Sequence, residues 1–225
     1  MKKSSSNGIS GAAGFDKEYW DVNYADPEDM DGIGNVPQHV GYIQNLFGME
    51  FIDISSVVDF GFGLGHLFEG LLKTFIPFRA TGIEPSKHVF DLVKERNISP
   101  AESTKFKLEN TDLVSWCKKN EKIKRFDLGV CTSVFQYLTD EELEYVIPEL
   151  AKHVKFLYLS VPTDKELDRQ EDDLEFKDEY AIHRSRAKYQ RMLKPHFTFI
   201  SSRVLESKVH FNEDNTFFTD LLYRF

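Results

Sequence analysis

Three glycines at every second position, Gly61, Gly63 and Gly65, follow a short apolar run that ends around Asp59. A loop of this composition lets the backbone approach a ligand, because no Cβ stands in the way. Glu84 lies 19 residues beyond the last glycine, at the end of a second run. Its carboxylate offers two oxygens, enough to meet two vicinal hydroxyl donors. Asn110 and Asp112 close a third run. The glycine spacing departs from the dinucleotide fingerprint G-x-G-x-x-G, since the third glycine comes one residue early and His66 takes its place. The lysine of a phosphate-binding P-loop is missing as well. Cys117 and Cys131 stand 14 residues apart, in neither metal-ligand nor redox spacing.

The elements that must position these groups alternate between strand and helix. Ser56 to Phe60 reads as a strand, and a helical stretch carries Leu67, Leu71, Leu72 and Phe75. A second strand spans 79–83, followed by a helix capped at Ser86; a third spans 106–108, followed by a short helix over 112–119. A fourth strand runs over 126–131. Thr139, with Glu142 three residues on, forms the capping box of a helix over 140–153. The continuous apolar run 154–161 suits a buried fifth strand. Strands alternating with helices predict a parallel sheet covered on both faces. The β-rich segments 197–207 and 217–225, separated by a polar stretch with no room for a crossover helix, are expected to pair as an antiparallel hairpin.

The G-x-G-x-G loop with a preceding acid resembles the first motif of the class I S-adenosylmethionine-dependent methyltransferases. Glu84, the run Phe126 to Leu138 and the expected terminal hairpin extend that resemblance to the region from Asp59 to Phe225. It implies a Rossmann-like α/β fold: a doubly wound, mostly parallel seven-stranded sheet with a C-terminal antiparallel hairpin. It further implies that S-adenosylmethionine is bound and S-adenosylhomocysteine released. The implied cofactor residues are Asp59, Gly61, Phe62, Gly63, Gly65, Glu84, Pro85, Asn110, Asp112, Leu113, Thr132 and Ser133, with Glu84 on the ribose and Asp112 towards the adenine amino group. Methyl transfer needs alignment and exclusion of water more than a nucleophilic side chain. An acceptor base is required only where the acceptor must lose a proton, and His183 and Tyr137 are the candidates. In several small-molecule members of the family a histidine stands where this chain has Tyr137.

In this family acceptor specificity comes from segments outside the core, and two are present. The segment 15–50 gathers Tyr19, Trp20, Tyr24, His39 and Tyr42, whose aromatic faces suit a sulfonium cation; the alternative is packing beside the stripe Val40, Ile43, Leu46 and Phe47. The segment 163–195 starts with nine acids against three bases over residues 164–179 and then turns basic. Helical spacing would put His183, Arg186 and Tyr189 or Gln190 on one side, facing a carboxylate or phosphate of the acceptor, unless they pair with the acidic half. Trp20, Tyr24, His39, Phe135 and Arg186 are therefore the expected acceptor contacts.

The 225 residues suit one domain, read as a flexible tail over 1–14 and a methyltransferase domain over 15–225. A net charge of −9 disfavours nucleic acid as a bulk partner. No apolar run is long enough to span a membrane and no metal set is evident, so the expectation is a cytoplasmic protein; the segments 15–50 and 163–195, expected to roof the site, point to a small-molecule acceptor. Two other readings stay open: a non-catalytic methyltransferase-like binding protein, and a nicotinamide-dependent oxidoreductase. Aromatic residues make up 14% of the chain, with 20 phenylalanines, and only Phe62 and Phe135 fall in loops where they would face a pocket.

Overall fold

The computed structural model describes residues 33–174, 178–222 and 224–225. Trp20 and Tyr24, expected near the acceptor, lie outside the described residues. The first described helix, α1 (Val36–Met49), starts on a proline in its first turn and buries His39, Val40, Ile43 and Phe47, the one-sided stripe its spacing predicts. Next come β1 (Ser56–Phe60), α2 (His66–Phe75), β2 (Arg79–Glu84), α3 (Lys87–Arg96), β3 (Lys105–Asn110), α4 (Leu113–Lys119) and β4 (Phe126–Thr132). A single 3-10 turn, Phe135–Tyr137, leads to α5 (Asp140–His153), β5 (Val154–Ser160), α6 (Asp164–Leu174) and α7 (Arg186–Leu193). The last two strands are β6 (Phe197–Phe199) and β7 (Val204–Ser207).

The seven strands have the order β3-β2-β1-β4-β5-β7-β6. β1 to β5 run parallel, whereas β7 runs antiparallel to both β5 and β6. Side-chain alternation divides the core into two layers. Val57, Val130, Phe156 and Tyr158 pack with α1 and α2, and Val58, Phe60, Cys131 and Leu157 pack with Trp116 and the apolar stripe of α5. Thr139 and Glu142 form the expected reciprocal capping box at the start of α5.

The terminal hairpin differs from expectation. Its two strands both lie within 197–207, joined by a turn in which Ser201 Oγ accepts from the N–H groups of Arg203 and Val204. A serine side chain thus closes a turn that has neither Gly nor Pro to announce it. The described residues of 217–225 form no strand. Phe218 is buried against Phe156, and only Phe225 reaches β6, exchanging both backbone hydrogen bonds with Phe199.

Candidate functional site

β1 is flanked by β2 on one side and β4 on the other, so the direction of strand progression reverses between β1 and β4. Ligands in open parallel sheets bind at such a switch point, beyond the carboxyl ends of the strands. A cleft lies there, lined by Asp59, the loop Gly61 to Gly65, Glu84, Pro85, Asp112, Leu113, Thr132 and Ser133. All three loop glycines have positive φ, 99° at Gly61, 51° at Gly63 and 75° at Gly65. A Cβ on Gly61 would stand 2.6 Å from Val134 Cγ2. The loop is pinned to β2: the N–H groups of Gly61 and Phe62 donate to Ile83 O, and that of Gly63 donates to Glu84 Oε2 at 3.0 Å.

Residues 57–156 match the family described as "Methyltransferase domain". Residues 57–156 are thus those of a methyltransferase domain. No curated protein sequence matches the chain. Among solved structures it is similar to an S-adenosylmethionine-dependent methyltransferase from Clostridium acetobutylicum. The TM-score is 0.60 at 12% identity, covering 84% of this chain and 96% of that one. The methyltransferase domain of bacterial CtHen1 gives 0.56 at 16% identity, covering 76% and 100%. The plantazolicin methyltransferase BpumL, in complex with a desmethylPZN analog and SAH, gives 0.58 at 17% identity, covering 79% and 68%. At these identities the likeness is one of fold.

The polar groups of this cleft suit a ligand with hydroxyl donors and a cationic centre, as S-adenosylmethionine has. Asp59 is buried and its Oδ1 has no hydrogen-bond partner, so a polar or cationic group is called for at that point. Glu84 is equally buried; its oxygens accept the N–H groups of Gly63 and Ser86, and each retains a lone pair for a hydroxyl donor. Burial, with Glu84 adding to it, pushes the Asp59 carboxyl up to about 8. Burial likewise pushes Glu84 up to about 7 against the opposing pull of the Ser86 and Gly63 amides. Two carboxyls in one dry cleft titrate as a pair, and such a pair retains a proton near neutrality until a cation or donors arrive.

Asp112 lines the cleft while its Oδ1 accepts from Ser115 N at 2.8 Å, so one side chain is both helix cap and cleft wall. Asn110 is not among the lining residues. Its amide donates to Glu84 O and Pro85 O and fixes the turn after β2. Phe62 lines the cleft and packs against Phe68 and Phe90. Phe135 does not line it: fully buried, it lies in the core layer beneath α5. His39 is also in the core, with Nδ1 2.5 Å from Tyr158 Oη on β5, and Tyr42 packs on the same tyrosine. Neither residue of α1 lines the cleft.

The segment 163–195 separates the two groups expected to act together. His183 precedes α7 instead of lying on it, because the helix begins after its cap, Ser185. The imidazole meets Asp168 of α6 at 3.4 Å, away from the cleft. Tyr137 does line the cleft, and its hydroxyl donates to Asp178 Oδ2 at 2.6 Å. Arg186 lines a neighbouring groove that shares Ser133 with the cleft. Sequence reasoning did not place Ile33, Leu64, His66, Ile83, Val134 and Leu138 in the cleft wall. His66 opens α2, with its Nδ1 3.1 Å from an Arg96 guanidinium nitrogen; burial and that cation hold the imidazole below its ordinary value. Ile83 and Val134 directly adjoin motif residues, and that adjacency is the signal that would have found them.

Proposed function

We propose that this methyltransferase transfers the methyl group of S-adenosylmethionine to the nitrogen or oxygen of a small molecule. The observation that carries this reading is the strap 178–184, tied to the 3-10 turn that supplies Tyr137 to the cleft wall. Ile182 N donates to Gln136 O at 2.8 Å, and Tyr137 bonds Asp178. The Arg184 guanidinium donates to Phe135 O, Leu138 O and Asp140. A segment fixed this way beside Tyr137 favours a compact acceptor over a polymer.

The bound cofactor supplies a methyl carbon already activated by a sulfonium, whose C–S electron pair returns to sulfur as the acceptor's lone pair forms the new bond. The chain's own residues bind, align and exclude water. Glu84 accepts the ribose hydroxyls, Asp112 the adenine amino group, and the open oxygen of Asp59 faces positive charge. Leu113, Thr132 and the glycine loop fill the remaining wall. Of the two candidate acceptor bases the geometry favours Tyr137. Its proton is already donated to Asp178, so Tyr137 Oη can accept from an acceptor N–H or O–H and orient the lone pair. The two buried, unpaired thiols support placement in a reducing compartment, the cytoplasm.

Calorimetric titration with S-adenosylmethionine and with NAD, followed by S-adenosylhomocysteine release on a metabolite panel, tests the reading. Cofactor binding with turnover is expected. NAD binding alone would overturn the reading, and cofactor binding without turnover across a broad panel would favour a non-catalytic role.

A further inference from the structure

Next to the cofactor cleft lies a groove of about 780 Å³, bounded by the chain leaving β5, by α7 and by the β6–β7 turn. That volume falls in the range of small-molecule sites. Cleft and groove meet at Ser133, which lines both. Ser133 takes a left-handed φ of 54°, and its N–H donates to Ser160 O at 2.8 Å. A non-glycine residue held in that region costs free energy, and Ser133, unlike Ile76 and Asn97, does not owe it to a helix C-cap.

Two arginines line this groove, Arg186 from the first turn of α7 and Arg203 from the β6–β7 turn. Arg203 Nη1 donates to Ser160 Oγ at 3.1 Å. Among the described residues neither guanidinium meets a carboxylate, although acids outnumber bases 37 to 28 in the chain. Arg96, Arg169, Arg184 and Arg224 do, whereas Arg79, Arg125 and Arg191 likewise show no such ion pair, so what sets Arg186 and Arg203 apart is that both line one groove. The groove's own acid, Glu166, is engaged by Arg169 at 3.1 Å. Resting on the reading that the chain methylates a small molecule, we propose that this groove is the acceptor subsite and selects acceptors bearing an oxyanion, a carboxylate or a phosphate, through Arg186 and Arg203. The planar fork of a guanidinium matches both anions, and Leu193 and Leu205 supply an apolar wall for the acceptor's body.

The test titrates wild type, Arg186→Ala, Arg203→Ala, Arg203→Lys and the double alanine variant with inorganic phosphate and with benzoate. Ionic strength is held constant with chloride, and each titration is run with and without S-adenosylhomocysteine. Wild type is expected to bind at least one of the two anions, and the double variant to bind it about tenfold more weakly, with Arg203→Lys intermediate. Cofactor affinity should stay unchanged in every variant, which also shows that each is folded. Preference for benzoate over phosphate, or the reverse, identifies the anion. In turnover, removing the charge from an acceptor, as an amide or a dephosphorylated analogue, should raise KM about tenfold in wild type and leave the double variant unaffected. Absence of anion binding, or equal binding by wild type and double variant, overturns the proposal. Failure of wild type to bind S-adenosylhomocysteine would instead overturn the methyltransferase reading, while the titration without it still decides the groove.

Discussion

Glu84 meets two demands at once: its oxygens hold the glycine loop through Gly63 N and the start of α3 through Ser86 N, and they face the cleft. Glu84→Ala should weaken S-adenosylhomocysteine binding at least about tenfold, because charge-assisted hydrogen bonds are lost. Unchanged calorimetric affinity in a folded variant would move the ribose contact elsewhere. Gly61 carries a steric demand instead. Its φ is 99°, and a Cβ there would stand only 2.6 Å from Val134 Cγ2. Gly61→Ala should therefore cost about 1–3 kcal/mol in chemical denaturation and lower cofactor affinity. Wild-type stability in that variant would mean the loop relaxes freely. Both positions are marked in the sequence, Gly61 by the glycine spacing and Glu84 by the family resemblance. The sequence also singled out Phe135, but local pattern does not distinguish a ring that faces a cleft from one that enters the core. Phe135 lies under α5, and Phe62 is the ring that lines the cleft.

The strap from Asp178 to Arg184 is the element whose behaviour is least predictable from its own sequence. Arg184 is a buried cation whose immediate neighbours, His183 and Ser185, are polar and do not announce its burial; Asp140, 44 residues away, and the carbonyls of Phe135 and Leu138 satisfy it. Arg184→Ala leaves those two carbonyls without their donor, while Lys188 still pairs Asp140. The expected loss is about 2–4 kcal/mol in denaturant unfolding. Hydrogen exchange should quicken at the amides of 136–138 and 182–184 before other regions respond. If exchange there is unaltered, the strap does not depend on Arg184. The same element explains the fate of His183. Its expected helical partnership with Arg186 required α7 to start earlier, and the Ser185 cap, whose Oγ accepts from Lys188 N, starts the helix after it.

For the whole molecule, the buried Asp59 and Glu84 tie fold stability to pH. Both folded-state carboxyls lie above their ordinary values near about 4, so their contribution is fully present below about pH 4 and is lost as pH rises through about 7 to 8. Other acids, Asp127 and Asp140 among them, are held below their ordinary values by cationic partners and act in the opposite sense. The informative quantity is therefore the difference between variant and wild type. The melting temperature of ligand-free wild type should fall relative to Asp59→Asn between pH 5 and pH 8.5, and saturating cofactor should reduce the gap. Parallel pH profiles would mean that Asp59 is already ionised in the free protein. By itself the sequence determined the strand–helix alternation, the glycine loop with its two acids and the capping box of α5, because these depend on backbone conformation and spacing within a few residues. Only the tertiary structure decided that His39 pairs with Tyr158 119 positions on, that the terminal hairpin closes within 197–207, and that Arg186 and Arg203 keep their charges open to a groove. Burial and ion pairing are settled by whichever distant groups the sheet brings into contact, and no local pattern encodes those partners.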